Sequence, residues 1–386
     1  MHKNGGGWKI KMVKKIQEAS RAVAEAVKLC KAEIMPIYPI TPQTHTVEAL
    51  AEFVNNGEFD AKIINVESEH SAMSAAIGAS ATGARVFTAT SSQGLKYMSE
   101  MLFVASGLRL PIVMMVANRA LSAPINIWND HSDTMAERDS GWIQFYAEST
   151  QEAVDRTIQS FKIAEKTLIP SMICLDGFTL THVYENVDIP TQNDVDKFLP
   201  KFNLKFKLDT EKPITIGPVC APNSYMEVKK MQQEDMIKSI EEIKKIQKEF
   251  EKKFKRKQFI FEDYKCQNAE KIIVCMGTIC GTTRFVVDKL REKNEKVGLL
   301  KISLFRPFPR EEIKKFISLF KNLKNLIILD RDVSFGNKGA LFTEFRDALF
   351  GLNINVNGYI VGLGGRDVTQ KHIEDAFNLV KEEWLV

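Results

Sequence analysis

Apolar residues along this chain switch repeatedly between helical spacing and short unbroken runs. Residues 16–30 place Ile16, Val23, Val27 and Cys30 three to seven apart, a helical pattern, and 34–38 then read as a short buried strand. The unit recurs: helix over 46–55, strand over 62–66, helix over 71–81, strand over 85–89, helix over 95–106, strand over 111–117, helix over 151–166 and strand over 171–175. Strands alternating with helices of this length predict parallel pairing in a doubly wound α/β sheet. Helix 71–81 is small-sided (Ala72, Ser74, Ala75, Ala76, Gly78, Ala79), so either the sheet or a second subunit must approach its backbone closely.

Beyond this sheet the pattern changes. Pro190, Pro200, Pro213, Pro218 and Pro222 mark 190–222 as an irregular crossing segment. Residues 226–257 are highly charged, yet Met236, Ile240, Ile243, Ile246, Phe250 and Phe254 keep three-to-four spacing, which predicts an amphipathic helix packing one face. Glutamates interleaved with its lysines argue against a basic surface for RNA or membrane. A second α/β set comes next: strand 272–276, helix 282–293, strand 297–302, a turn at Phe305-Arg306-Pro307-Phe308-Pro309, helix 311–320, strand 326–329, helix 341–350 and strand 359–361. The expected organisation is a disordered tail over 1–12, a first α/β domain over 13–257 that includes the crossing segment and charged helix, and a second over 266–386. The tail holds Gly5-Gly6-Gly7 without periodicity, and Met12 is an alternative start to Met1.

Composition narrows the function classes. A chain of 386 residues with 44% hydrophobic and 26% charged residues has the make-up of a globular protein with large cores. Its 53 basic and 49 acidic residues nearly cancel, so no field that steers nucleic acid is expected. Cys30, Cys174, Cys220, Cys266, Cys275 and Cys280 form no C-x-x-C pair and read as reduced, structural residues of a cytoplasmic protein. No apolar run approaches the ~18 to 20 residues of a membrane span.

The chemistry gathers at strand ends. Thr41 follows the first strand, Glu69 the second, Ser91-Ser92-Gln93 the third and Asn118-Arg119 the fourth, the edge at which open α/β sheets bind ligands. A carboxylate, an arginine, hydroxyls and an amide converging there suit a small anionic substrate and a polar cofactor. Each residue alone has a plainer reading. Thr41 in a Pro-flanked turn could be turn chemistry, and Glu69 or Glu67 could cap the Ala-rich helix. Arg119 could form a surface ion pair, although the preceding run 112–117 predicts a partly desolvated guanidinium that wants a carboxylate. His131 in Asp130-His131-Ser132-Asp133 fits a hydrogen-bonded structural histidine better than a metal ligand or proton carrier. Equally informative, the chain lacks a Walker A loop, a G-x-G-x-x-G fingerprint, a G-x-S-x-G elbow, H-E-x-x-H and a cysteine cluster for an iron–sulfur centre. It also lacks Gly-Asp-Gly followed by a distant Asn, the diphosphate and magnesium motif of thiamin enzymes. The residues describe half of a site, with no metal of its own.

Several stretches resemble one family, the alpha subunits of 2-oxoacid:ferredoxin oxidoreductases of the pyruvate type: Tyr38-Pro39-Ile40-Thr41-Pro42, Glu67-Ser68-Glu69-His70, Thr90-Ser91-Ser92-Gln93-Gly94, Asn118-Arg119-Ala120, Trp128-Asn129-Asp130-His131-Ser132-Asp133, Phe305-Arg306-Pro307-Phe308-Pro309 and Gly362-Leu363-Gly364-Gly365-Arg366-Asp367. The resemblance implies a thiamin-diphosphate-binding domain of the pyrimidine type followed by a domain like the transketolase C-terminal domain. It implies that Glu69 hydrogen-bonds N1′ of the aminopyrimidine, favouring the imino tautomer that removes the C2 proton, with Ser92 and Gln93 also at the cofactor. Thr41 would hydrogen-bond the oxoacid and Arg119 would pair with its carboxylate. The implied reaction is oxidative decarboxylation of pyruvate with coenzyme A to acetyl-CoA and carbon dioxide, reducing ferredoxin, and its reverse. Magnesium and 4Fe-4S clusters would sit on beta-, gamma- and delta-type partner subunits. Branched-chain oxoacids are the alternative substrate, since that branch resembles this chain but tends to carry Asp-Asp-Gln-Thr-Asp at Asn129-Asp130-His131-Ser132-Asp133. A non-catalytic scaffold of the same fold is the alternative role; its signature, loss of Glu69 or Arg119, is not met.

Overall fold

A computed structural model describes residues 13–386; the tail expected over 1–12 and the choice of start lie outside them. The first part of the chain forms β1 (Val13–Glu18), α1 (Ala19–Leu29), β2 (Ile34–Ile37), α2 (Thr44–Asn55), β3 (Lys62–Asn65), α3 (Glu69–Ala81), β4 (Phe87–Thr90), α4 (Ser92–Tyr97) and α5 (Ser99–Gly107). It continues through β5 (Val113–Asn118), α6 (Ser132–Ala136), β6 (Ile143–Tyr146), α7 (Thr150–Thr167), β7 (Ser171–Asp176), β8 (Tyr184–Ile189), α8 (Gln192–Phe198) and the long α9 (Pro222–Phe254). The second part holds β9 (Phe261–Tyr264), β10 (Lys271–Cys275), α10 (Ile279–Glu292), β11 (Val297–Ile302), β12 (Leu304–Arg306), α11 (Arg310–Ile317) and β13 (Asn325–Asp330). It ends with α12 (Ala340–Ala348), β14 (Asn355–Val361), α13 (Gln370–Phe377) and β15 (Trp384–Leu385).

In the first sheet β4, β5, β7 and β6 run parallel, and β2, paired in parallel with β3, joins β4 through the bridge Ile34–Val86. The chain leaves β2 towards β3 and then returns to β4 on the other side. The topological switch therefore lies between β2 and β4, where Thr41 and Ser92 emerge. Every residue of β5 is buried, because a central parallel strand is covered on both faces. In the second sheet, ordered β15-β14-β13-β10-β11-β9, only β9 is antiparallel, and the switch lies between β10 and β13. The doubly wound reading holds for both.

Four local expectations needed correction. Ile16 is not on a helix: it lies on β1, 71% exposed and paired antiparallel with β8, and α1 starts only at Ala19. Its distance from Val23 matched a helical period by coincidence. The crossing segment contains α8, seven residues long and capped by the Thr191 hydroxyl, too short to show a period. The stretch Phe305–Pro309, expected as a turn of the second α/β set, opens on a strand instead: Leu304 and Arg306 pair antiparallel with β6 of the first sheet. Helix 71–81 begins two residues earlier, with Ser68 as its cap. The charged helix does pack one face, through Ile240, Ile243, Ile246, Phe250 and Phe254.

Several ties join the two parts, and β12 is one of three prominent ones. A second is a buried charge cluster in which Lys301 Nζ on β11 lies 2.7 Å from both Glu148 and Glu152, the latter in the first turn of α7. The third ends β7: Asp176, 1% exposed, receives Arg331 Nη1 at 2.7 Å, Thr278 N at 2.8 Å and His131 Nε2 at 2.8 Å. Burial alone would raise the Glu152 carboxyl, but Lys301 and Arg156 outweigh it and hold it at about 2. Glu152 thus favours the folded state fully above its ordinary pKa of 4.5, and that contribution is lost as pH falls towards about 2. Lys301→Met should cost ~3 to 5 kcal/mol at neutral pH, because it leaves Glu152 buried without its main partner. Urea unfolding checks this, and wild-type stability in the variant would contradict the role given to the pair.

Candidate active site

The site is built where β4 and β5 stop. β5 ends on Asn118, whose side-chain amide donates to Asp133 Oδ1 and Thr134 Oγ1, both at 2.8 Å. Asp133 is fully buried and its other oxygen accepts the backbone N–H groups of Ser92 and Arg119, each at 3.0 Å. One carboxylate therefore stitches the ends of two adjacent strands. Ser92 follows β4 with φ 47°, a strained conformation for serine that the Asp133 bond helps to fix. Burial pushes the Asp133 carboxyl up to about 6, against its amide and backbone donors, so at neutral pH it is ionised and can accept all of them.

Ser92 Oγ lies 2.6 Å from both Ala120 O and Gln93 Oε1 and has one proton for the two. The amide orientation that matches the single hydroxyl proton is the reverse one, with Gln93 Nε2 donating to Ser92 Oγ and Ser92 donating to Ala120. The other end of the Gln93 amide is buried without a partner. On the opposite side of the switch, Gln43 is fully buried and its Nε2 donates to Tyr38 O at 3.0 Å and Ala89 O at 3.1 Å. That tie draws the end of β2 against β4 and leaves Gln43 Oε1 without a partner.

Four of the expected site residues meet along this edge through short links. Thr41 has an exposed side chain, and its carbonyl accepts Arg119 Nη1 at 3.1 Å. Arg119, 8% exposed, also donates from Nε to Asn126 O at 2.9 Å. No carboxylate of the described residues pairs with its guanidinium, so the partner expected from the sequence is not among them. Three of its five N–H donors remain available. Burial lowers its pKa. Neither a turn residue alone nor a surface ion pair describes this couple.

Glu69 is the first residue of α3; the cap is Ser68, whose hydroxyl accepts Ser71 N at 3.2 Å. Its carboxyl is 7% exposed, makes no hydrogen bond to another described residue, and is raised above the usual carboxylate range by burial. It lies over Gly94. A Cβ there would meet Glu69 Oε1 at 2.5 Å and Thr90 Oγ1 at 2.6 Å, and Thr90 Oγ1 is itself buried without a partner. Glycine is required for the carboxyl to sit so close to the β4 turn. His131 is buried and bonded to Asp176, a structural histidine as its surroundings in the sequence suggested. Among the described residues no group of three or more side chains could hold a metal ion.

Asp133, Gln43 and Gly94 were missed as site residues. Each stands inside or beside a motif already singled out, but a carboxylate that accepts backbone N–H groups has no sequence signature distinct from a surface aspartate. The donor set fits a thiamin pyrimidine: a raised carboxyl and an unpartnered hydroxyl meet over Gly94, and Gln43 and Gln93 on the same sheet edge each bury an amide end without a partner. It equally fits an oxoacid carboxylate at Arg119.

Comparison with known proteins shows what the chain as a whole is similar to. Residues 25–251 match the family model described as pyruvate flavodoxin/ferredoxin oxidoreductase, thiamine diphosphate-binding, and residues 269–373 match pyruvate:ferredoxin oxidoreductase core domain II. The chain is 53% identical to pyruvate synthase subunit PorA of Methanocaldococcus jannaschii, over 95% of each chain, and 52% identical to that of Methanothermobacter thermautotrophicus, over 94% of each. Ketoisovalerate oxidoreductase subunit VorA of Pyrococcus horikoshii is 43% identical, over 94% of this chain and 92% of that one. Among solved structures, the 2-oxoglutarate:ferredoxin oxidoreductase of Magnetococcus marinus shares the fold with a TM-score of 0.72 at 18% identity, over 95% of this chain and 65% of that one. A split-gene transketolase does so at 0.55 and 11% identity, over 94% and 97%.

Asp133→Asn should test the stitch. The wild-type carboxyl is raised from 3.8 to about 6 in the folded state, so its favourable contribution is full below 3.8 and is lost as pH rises through about 6. The asparagine does not titrate. The stability advantage of wild type over Asp133→Asn should therefore shrink between pH 4 and pH 7, measured as urea midpoints; a constant difference would contradict a buried, strained charge at this position.

Proposed function

The chain belongs to the pyruvate:ferredoxin oxidoreductase family, and on that premise we propose that it is the subunit that binds the oxoacid and the pyrimidine end of thiamin diphosphate. The observation that carries the proposal is the presence at one sheet edge of two buried ionisable groups without an ion-pair partner among the described residues, the Glu69 carboxyl and the Arg119 guanidinium, the latter with N–H groups still free. The reaction is oxidative decarboxylation of pyruvate with coenzyme A to acetyl-CoA and carbon dioxide, with ferredoxin taking the electrons, and its reverse.

Burial raises the Glu69 carboxyl above the usual carboxylate range, which favours its protonated form, and the carboxyl shares a proton with ring nitrogen N1′. Ser92 and Gln93 follow on the same strand end, and Gly94 lets the Glu69 carboxyl approach it closely. Thiamin diphosphate, when bound, supplies the carbon nucleophile and the electron sink. Arg119, already fixed through Nε and Nη1, turns its remaining N–H groups to the oxoacid carboxylate in a charge-assisted pair. Carbon dioxide leaves as a neutral molecule and the electron pair of the broken bond stays behind for the electron sink, so the carboxylate that Arg119 holds is gone and the arginine favours the intact oxoacid over the product of decarboxylation. The exposed Thr41 side chain reaches the oxoacid from the β2 side.

The diphosphate, its magnesium ion and the 4Fe-4S clusters belong to beta-, gamma- and delta-type partner subunits, because this chain carries neither the diphosphate motif nor a cysteine cluster. Pyruvate is favoured as substrate because relatives at 52% and 53% identity are named pyruvate synthase subunits. The relative at 43% named for ketoisovalerate keeps a branched-chain oxoacid as the second reading. A higher kcat/KM for ketoisovalerate than for pyruvate in the assembled complex would select it.

In the reconstituted complex Glu69→Gln should abolish exchange of the thiamin C2 proton while assembly persists. Gly94→Ala should do much the same, since its Cβ would displace the carboxyl. Arg119→Ala should leave exchange intact and raise the KM for the oxoacid by roughly ten- to a hundredfold, the worth of one charge-assisted pair. Normal exchange in Glu69→Gln, or an unchanged KM in Arg119→Ala, would refute the respective assignment.

A further inference from the structure

The loop between β5 and α6 carries Arg119 at its root but has little core of its own. Ser122, Ala123 and Pro124 are exposed, Ile125 is 80% exposed and Trp128 50%. Within the loop, Ala120 N donates to Trp128 O at 2.9 Å and Trp128 N to Asn126 Oδ1 at 2.7 Å. The first domain supports it through the Trp128 ring on Phe178, 4.6 Å between centroids, and through Thr179 Oγ1 on Asn129, and the second domain supports it from the other side. The turn Leu363–Gly365 after β14 grips it at three points: Asn126 Nδ2 donates to Gly364 O at 3.1 Å, Gly364 N donates to Asp130 Oδ2 at 3.1 Å, and Gly365 N donates to Asn129 O at 2.7 Å.

Only glycine permits this approach. Gly364 has φ 58°, and a Cβ on it would stand 2.5 Å from Asn126 Nδ2; Gly365 has φ 79°, and a Cβ on it would stand 2.3 Å from Trp128 Cβ. Asn126 is the link to the chemistry, because its carbonyl accepts Arg119 Nε at 2.9 Å. The guanidinium is held on two edges by carbonyls from two loops, Asn126 and Thr41, so its plane is fixed and its free N–H groups keep set directions. Release of either carbonyl frees a long side chain to rotate.

We infer that the second domain aims Arg119: the glycine turn at Leu363–Gly365 holds Asn126, and Asn126 holds the guanidinium in the orientation that receives the oxoacid carboxylate. Asn126 and Gly364 are positioning residues, and the domain that contributes no group to the reaction thereby sets affinity for the substrate. The inference takes the proposed role of Arg119 as its premise.

The test compares Asn126→Ala, Gly364→Ala and Arg119→Ala in the assembled complex. Asn126 is only half-buried, so its truncation should leave the fold intact even where Gly364→Ala does not. Two quantities are read: the dissociation constant of oxamate, a non-reacting carboxylate isostere of pyruvate, by calorimetry, and C2 proton exchange of thiamin in the absence of oxoacid. Weakening of oxamate binding by roughly five- to twentyfold in Asn126→Ala, with normal exchange, is the expected result. If Arg119→Ala weakens oxamate binding but Asn126→Ala does not, or if Asn126→Ala loses exchange as well, the inference is overturned. If Arg119→Ala itself binds oxamate normally, the premise fails rather than the coupling.

Discussion

The Asp176 carboxylate is the point from which the rest of the arrangement hangs. It projects from the carboxyl end of β7 into the switch point of the second sheet, between the ends of β10 and β13, where an open α/β sheet ordinarily receives a ligand. Thr278, Arg331 and His131 surround it, and Gly277, with φ 68°, leaves the space it occupies, since a Cβ there would meet Asp176 Oδ2 at 2.8 Å. Burial opposes its charge, yet Arg331 and His131 hold it well below the usual carboxylate range. The second domain binds an anion, and the anion is part of the same chain.

From that anchor the geometry passes to the reacting edge of the first sheet. His131 N donates to Arg331 O at 2.8 Å, which seats the segment 129–133. Asp130 and Asn129 in that segment meet the Gly364 turn, and Asp133 ties the roots of Ser92 and Arg119. Rigid elements therefore set the position of each group, while the edge itself is left short of partners. Gln43 Oε1, Thr90 Oγ1 and one end of the Gln93 amide are buried and unpaired, and Glu69 bonds to no other residue. Groups of this kind are costly to a folded chain and concentrate where a ligand satisfies them. A site complete in its supports and incomplete in its contacts is what a subunit contributes when another chain brings the rest.

Much of this was legible in the sequence because parallel strands buried on both faces leave unbroken apolar runs. β4, β5 and β7 announced themselves that way, and the polar residues that end them, Ser92, Arg119 and their neighbours, were the ones that met. β1 was not legible, since its lysines and the exposed Ile16 show no clean alternation, and its partner β8 lies far along the chain. β12 could not be assigned to a sheet locally, because its pairing with β6 is decided by how two domains dock. The missing motifs suggested a half-site, but the residues that support this edge left no such mark. Asp133, Gln43 and Asn126 act through backbone atoms of distant residues, and a hydrogen bond to a main-chain group imposes no residue pattern at the other end.

The central claim is that Glu69 and Arg119 face one cofactor–substrate pair across the end of β4. A structure of the assembled complex with thiamin diphosphate and oxamate tests it most directly. The expected result is a Glu69 carboxyl oxygen within hydrogen-bond distance, about 2.6 to 3.2 Å, of pyrimidine N1′, and the oxamate carboxylate on the free N–H groups of Arg119. A pyrimidine ring bound away from Glu69, or oxamate held by groups of another chain while Arg119 keeps only its two carbonyls, would contradict it.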